Sequence, residues 1–248
     1  MEEKISNWLK EYLEKNNLDC FVVGISGGID SSLTSTLCAM SGIKTIVVSL
    51  PIHQFKDQLQ RAHNHIKWLK DRYQNVEDFE FDLSETFEVF KKLFNDSNDL
   101  ALANSRSRLR MVTLYQISGM RNGLVVGTGN KIEDFGIGFF TKYGDGGVDI
   151  SPIADFTKTE VRTMSKNLGI LNEIILASPT DGLWDDCRTD EQQIGATYEE
   201  LEWAMNVKLT SDDDKKILSD RQKEVLSIYT KLNSANRHKM TPLPIFKR

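Results

Sequence analysis

The chain has 248 residues, 40% of them hydrophobic and 27% charged, which suits one sizeable α/β core of ordinary globular composition. Its net charge of −5 argues against broad nucleic-acid binding, which needs a basic surface, yet leaves room for a local basic pocket. Three scattered cysteines (Cys20, Cys38, Cys187) make neither a disulfide framework nor a zinc knuckle. With no apolar stretch near the ~20 residues that span a bilayer, and no leader after Met1-Glu2-Glu3-Lys4, a cytoplasmic protein without nucleic-acid or membrane partners is expected.

Ile5, Trp8, Leu9, Tyr12 and Leu13 recur at helical spacing and open the chain with an amphipathic helix. Cys20–Ile25 is a short apolar run of buried-strand type, followed by Ser26-Gly27-Gly28-Ile29-Asp30-Ser31-Ser32 and a helical stretch to about Met40. Ile43–Leu50 reads as a strand, Lys56–Tyr73 as a helix, Phe79–Leu83 as a strand, Leu100–Met120 as a long helix and Leu124–Gly127 as a fourth strand. This alternation predicts βαβ units in a doubly wound, mostly parallel sheet flanked by helices, in a single domain over residues 1–248. Ligands of such sheets bind beyond the carboxyl ends of the strands, where both the Ser26 loop and Thr128–Glu133 fall. Ser178–Gln193 reads as a long irregular loop, and Tyr198–Met205 and Lys215–Leu232 as helices.

A strand, a Ser-Gly-Gly turn and a helix start form an anion site, because glycines bring backbone N–H groups close and the helix terminus adds partial positive charge. Asp30 beside a phosphate calls for an intervening cation such as Mg²⁺. The rival reading is a plain strand-to-helix turn in which Asp30 or Ser31 caps the helix. No Gly-Lys pair and no Gly-x-Gly-x-x-Gly occur, which excludes a Walker A loop and the usual dinucleotide fingerprint.

The loop resembles the signature of the ATP pyrophosphatases, which cleave ATP between the α and β phosphates to adenylate a substrate. Asparagine, GMP and argininosuccinate synthetases and tRNA-modifying enzymes share it, so the loop leaves the acceptor open. Asn104–Met111, Gly127-Thr128, Phe139–Asp149, Thr157-Lys158, Ser178–Asp181, Asp190-Glu191 and His238-Lys239 come in the order found in NAD synthetases. Phe-Phe-Thr-Lys-Tyr-Gly-Asp-Gly-Gly at 139–147 is the most specific string, and the resemblance runs from about Ile25 to Met240. Ser107 stands where the family usually has alanine, Asp181-Gly182 replaces an Ala-Asp pair, and the stretch from Glu133 to Phe139 is one residue longer than usual.

The resemblance implies an adenine-nucleotide α-hydrolase-like fold, with ATP bound by Gly24, Ile25, Ser26, Gly27, Gly28, Ile29, Asp30, Ser31, Thr128, Lys158 and Thr180. It implies Mg²⁺ on Asp30 and Glu133, and nicotinic acid adenine dinucleotide (deamido-NAD) on Arg108, Lys142, Asp149, His238 and Lys239. Lys158, Thr180 and Asp145 are the candidate catalytic groups; because the resemblance starts near residue 25, leaving no room before it for a fused glutaminase, ammonia is the expected nitrogen donor, and a homodimer is expected. Glu133 has a plain rival role as a first-turn carboxylate, whereas a lysine beside a helix start, as at Thr157-Lys158, is electrostatically unwelcome and so points to function. Asp145 is either a turn residue or a carboxylate that holds ammonium. At 100° per residue, Arg106 and Arg110 share one side of a helix, while Asn104 and Arg108 share another. The Ser178–Gln193 loop, carrying Asp181, Asp185, Asp186, Asp190 and Glu191, is expected to act as a lid over the nucleotide.

Overall fold

The computed structural model describes residues 1–96, 98–180, 182–183, 188–207 and 217–247. Helix α1 (Glu2–Lys15) precedes β1 (Cys20–Gly24), α2 (Ile29–Met40), β2 (Lys44–Ser49), α3 (Lys56–Arg72), β3 (Val76–Glu80), α4 (Ser84–Lys91), α5 (Asp99–Arg121) and β4 (Gly123–Val125). A π-helical turn follows at Ile132–Ile137, then α6 (Lys158–Asn167), α7 (Asn172–Ile175), α8 (Asp190–Ile194), α9 (Tyr198–Asn206) and α10 (Asp220–Met240).

The four strands are parallel in the order β3-β2-β1-β4. Beyond β4, Val126 bridges to Ile150, extending the sheet edge in the parallel sense. Alternate side chains leave opposite faces of a strand. Phe21, Val23 and Val47 accordingly pack with α1, α2 and α3, while Cys20, Val22, Ile46 and Val48 pack with Ile117 of α5. Both faces are therefore covered, and the apolar runs β1 and β2 follow from burial on both sides. The winding reverses between β1, whose crossover leads to β2, and β4 on its other flank. That reversal is the switch point at which a crevice opens.

A separate apolar cluster joins Ile132 and Ile137 of the π turn to Ile194, Tyr198, Leu201 and Val225. Through it the C-terminal helices hold one wall of the crevice. Asn233 and Asn236 of α10 donate to the Gly136 and Ile137 carbonyls at 2.7 and 2.9 Å, bracing the π turn.

The sequence reading needs four corrections. β3 begins three residues before the expected Phe79, because this edge strand exposes Asp78 and Glu80 on one face and carries Glu77 on the other, which hides its apolar signal. Helix α4 was not expected, since only Phe87 of its residues is buried. The end of the irregular 178–193 stretch is helix α8, started by a capping box between Thr189 and Gln192. Helix α10 starts at Ser219, which forms a capping box with Gln222, and continues to Met240, past the expected Leu232. Positions 215–216 of the expected helix, Cys187, and the lid residues Asp181, Asp185 and Asp186 lie outside the described residues.

Candidate active site

At the end of β1 the chain turns through Ser26-Gly27-Gly28 into α2. Gly27 has φ of +82°, and a Cβ there would lie 2.4 Å from the Gln58 carbonyl oxygen, so only glycine lets the loop rest on α3. The N-cap is Gly28, with no side-chain cap, so the capping role considered for Asp30 or Ser31 is not taken up. The Ser31 and Ser32 hydroxyls donate back to the Gly28 carbonyl at 3.0 and 2.9 Å and brace the loop. The first amides of α2 thus remain free to meet an anion.

A cavity of about 280 Å³ opens over this terminus. That lies at the lower edge of the ~300–1,000 Å³ usual for small-molecule sites, a scale that suits one nucleotide rather than two. Every residue assigned to ATP lines it: Gly24 to Ser31, Thr128, Lys158 and Thr180. So do Glu133 and Asp145.

Lys158 opens α6 directly after the Thr157 N-cap, which forms a capping box with Glu160. Its side chain is 2% exposed, with Nζ 2.5 Å from Asp30 Oδ2 and 3.2 Å from Glu133 Oε1. Burial alone pushes its ammonium toward neutrality, but Asp30 and Glu133 outweigh this and hold its pKa above the ordinary value. The Tyr198 ring lies 4.6 Å from Nζ, and the Tyr198 hydroxyl donates to Glu133 Oε1 at 2.5 Å. Asn130 donates to Asp30 Oδ1 at 3.3 Å and accepts from the Ile132 and Glu133 amides, tying the π turn to the phosphate loop.

Two carboxylates that reach one ammonium converge on a single cation position. Their hard oxygens fit Mg²⁺, and among the described residues no group of three or more His, Cys, Asp or Glu is placed to hold a metal. Asp30 and Glu133 would be the residues to hold Mg²⁺, whose charge would be shared with a bound nucleotide's phosphates.

Helix α5 has two working faces. Asn104, Ser107, Arg108 and Met111, spaced as one helical stripe, hold the Thr141–Gly147 loop. Thr141 Oγ1 donates to Asn104 Oδ1 at 2.6 Å, Ser107 Oγ to Asp145 Oδ1 at 2.6 Å, and Arg108 Nε to the Lys142 carbonyl at 3.3 Å. Arg106 instead reaches the Leu183 carbonyl, and Arg110 the Leu50 carbonyl at 2.9 Å and Gln54 at 3.0 Å. The pairing expected from helix geometry is thus present.

The residues assigned to deamido-NAD lie outside this cavity. Lys142 donates to the His238 carbonyl at 3.0 Å and Lys239 to the Phe140 carbonyl at 2.7 Å, so with Arg108 they cluster behind the loop that carries Asp145. Asp149 stands apart, accepting from Tyr115 Oη at 2.9 Å and the Val125 amide at 2.8 Å.

Sequence reasoning missed Asp134 and Gln58 and gave Arg110 and Asp190 no place in the ATP site, yet all four line the cavity. Asp134 follows Glu133, and the wide π turn at Ile132–Ile137 lets both line the cavity. Burial, reinforced by Glu133, Asp145 and Asp30, pushes its carboxyl up to about 8.

These features define the class: an α/β enzyme that binds the phosphates of a nucleotide across the switch point of a parallel sheet. The sequence pattern of the NAD synthase family matches residues 1–243, and the chain belongs to that family. It is 36% identical to an NH(3)-dependent NAD(+) synthetase from Alkaliphilus metalliredigens, over 98% of this chain and 96% of that one. The NMN synthetase structure from Francisella tularensis superimposes with a TM-score of 0.86 at 28% identity, covering 100% and 97% of the two chains. An NH3-dependent NAD synthetase from Campylobacter jejuni gives 0.79 at 25% identity, covering 99% and 97%. The chain is accordingly an enzyme, a ligase that forms C–N bonds.

Proposed function

We propose that the protein amidates deamido-NAD with ammonia, using ATP and releasing NAD, AMP and pyrophosphate. The observation that carries this reading is the uncapped α2 terminus facing Lys158, Asp30 and Glu133, in a chain that matches NH(3)-dependent NAD(+) synthetases almost end to end. A carboxylate resists ammonia because its carbon is a poor electrophile. The nicotinate oxygen therefore bonds first to the α-phosphorus as the bond to pyrophosphate breaks. Ammonia then bonds to the acyl carbon as AMP leaves, and one proton is lost from nitrogen.

The chain's own groups act by position and charge. The α2 amides and Ser26 hold the departing pyrophosphate, while Lys158 and Thr180 offset charge on the phosphoryl oxygens. Bound Mg²⁺ would neutralise pyrophosphate charge. Asp145, which lines the same cavity, is the carboxylate suited to receive ammonium. No general base is needed for the first bond, because the attacking carboxylate is already ionised. Arg108, Lys142, Asp149, His238 and Lys239 are assigned to deamido-NAD on the family resemblance, as a surface beyond the ATP cavity.

The protein is proposed to work as a homodimer of single-domain subunits in the cytoplasm. Val89 of α4, Leu93 just beyond it, and Leu100, Val112 and Met120 of α5 are all exposed apolar side chains available to an isologous contact.

A second reading replaces the dinucleotide by nicotinate mononucleotide, because the F. tularensis relative that superimposes at 0.86 is an NMN synthetase. One end-point assay tests both. With ATP, Mg²⁺ and ammonium, each substrate is supplied in turn and the amide and AMP are quantified. AMP equal to the amide formed is expected, with the higher kcat/KM on deamido-NAD. Preference for the mononucleotide selects the second reading, and formation of ADP sinks both.

A further inference from the structure

Asp145 is fixed by one residue of α5. Ser107 is 5% exposed, and its hydroxyl works in both directions. It donates to Asp145 Oδ1 at 2.6 Å and accepts from the Asp145 amide at 2.9 Å. The Thr141 amide adds a second donor to the same Oδ1 at 3.0 Å. With Oδ1 engaged twice, Oδ2 is the oxygen left for the cavity that Asp145 lines.

The loop is shaped around this contact. A Cβ on Gly144 would lie 2.3 Å from Ser107 Oγ, so glycine there makes room for the hydroxyl. Tyr143 sits at φ of +61°, an unfavourable conformation for a bulky side chain. The Gly144 and Gly146 amides close the turn on the Thr141 carbonyl at 2.9 and 3.2 Å. Rotation of the Asp145 carboxylate about χ2 would break the Ser107 bond, which holds the group as a one-oxygen acceptor. Burial pushes the Asp145 carboxyl up from its ordinary value, while the Ser107 hydroxyl and the Thr141 amide pull it back toward the ionised form.

We propose that Ser107 is a positioning residue for the nitrogen substrate, orienting Asp145 so that Oδ2 alone faces the cavity and receives the ammonium ion. This rests on the amidation reading above. The bound ammonium releases one proton to water before it attacks as ammonia, and neither Ser107 nor Asp145 forms a bond to carbon or phosphorus. Ser107 never touches ammonium and acts only through Asp145.

The test compares Ser107→Ala with the wild-type protein for two nitrogen nucleophiles, ammonium and hydroxylamine. Hydroxylamine is uncharged at neutral pH and needs no ion pair with a carboxylate. Loss of a hydrogen bond to a charged group should raise KM for ammonium about tenfold. The KM for ATP, kcat at saturating ammonium and the KM for hydroxylamine should stay within about twofold of wild type. Ser107→Thr, which restores the hydroxyl, should recover most of the ammonium affinity. An unchanged KM for ammonium in Ser107→Ala, or equal losses for both nucleophiles, overturns the proposal while leaving amidation itself intact. Absence of amide from the wild-type protein would instead overturn the amidation reading.

Discussion

Lys158 Nζ lies 2.5 Å from Asp30 Oδ2, joining the first residue of α6 to the second residue of α2. Two helix N-termini repel cations there, yet the ammonium is buried between them, because Asp30 and Glu133 compensate both the dipoles and the lost hydration. An ion pair so placed links stability to function. Lys158→Ala should lower kcat by roughly 10²–10³, the scale of one lost transition-state donor. It should also destabilise the metal-free protein by about 3 kcal/mol, since two nearby carboxylates are left facing each other. Millimolar Mg²⁺ should restore much of the melting temperature. A variant with unchanged melting and turnover would show that the lysine does neither task.

Asp30→Asn should keep the fold and weaken Mg²⁺-pyrophosphate binding, because the neutral amide still pairs with Asn130 but no longer attracts a divalent cation. Isothermal titration with Mg²⁺-pyrophosphate checks this, and wild-type affinity in the variant would remove Asp30 from the metal site.

His65 predicts the acid limb of stability. Its ring is fully buried, with Nε2 2.9 Å from Ser35 Oγ, and burial lowers its pKa to about 3 from an ordinary 6.5. The unfolded chain therefore takes up a proton below pH 6.5 that the folded state refuses until about pH 3. Stability is lost as pH falls through that window, by about 2 kcal/mol at pH 5 from this residue. Urea unfolding at pH 7 and pH 5 should show a shallower loss for His65→Gln than for wild type.

Gly27→Ala should abolish nucleotide binding. Left-handed backbone costs alanine ~1–2 kcal/mol, and the added methyl also meets the Gln58 carbonyl that supports the loop. Fluorescent ATP-analogue titration gives the readout, and retained affinity would mean that the loop can re-form elsewhere.

Charge at exposed apolar positions of the α4–α5 region should split the proposed dimer. Leu93→Asp together with Val112→Lys should give a monomer by light scattering at micromolar concentration. Both side chains are exposed in the single chain, at 72% and 57%, so the fold should survive. A wild-type monomer that is fully active would count against pairing.

The sequence by itself determined the parallel α/β sheet and the phosphate loop. Both rest on local patterns: apolar runs such as Phe21-Val22-Val23 are buried on two faces, and Ser26-Gly27-Gly28 needs glycine backbone geometry. It also assigned the two faces of α5, since helix periodicity is local, and the Thr157 start of α6. Tertiary structure alone decided which charges meet. Asp30, Glu133 and Lys158 come together only because β1, β4 and α6 end at one crevice, a contact spanning 128 positions for Asp30 and Lys158. Separations of 65 and 38 positions likewise hid the tie from Tyr198 to Glu133 and the clamp from Ser107 to Asp145. The π turn at Ile132–Ile137, which lets Asp134 line the cavity, likewise depends on tertiary contacts, since Asn233 and Asn236 of α10 brace it from behind.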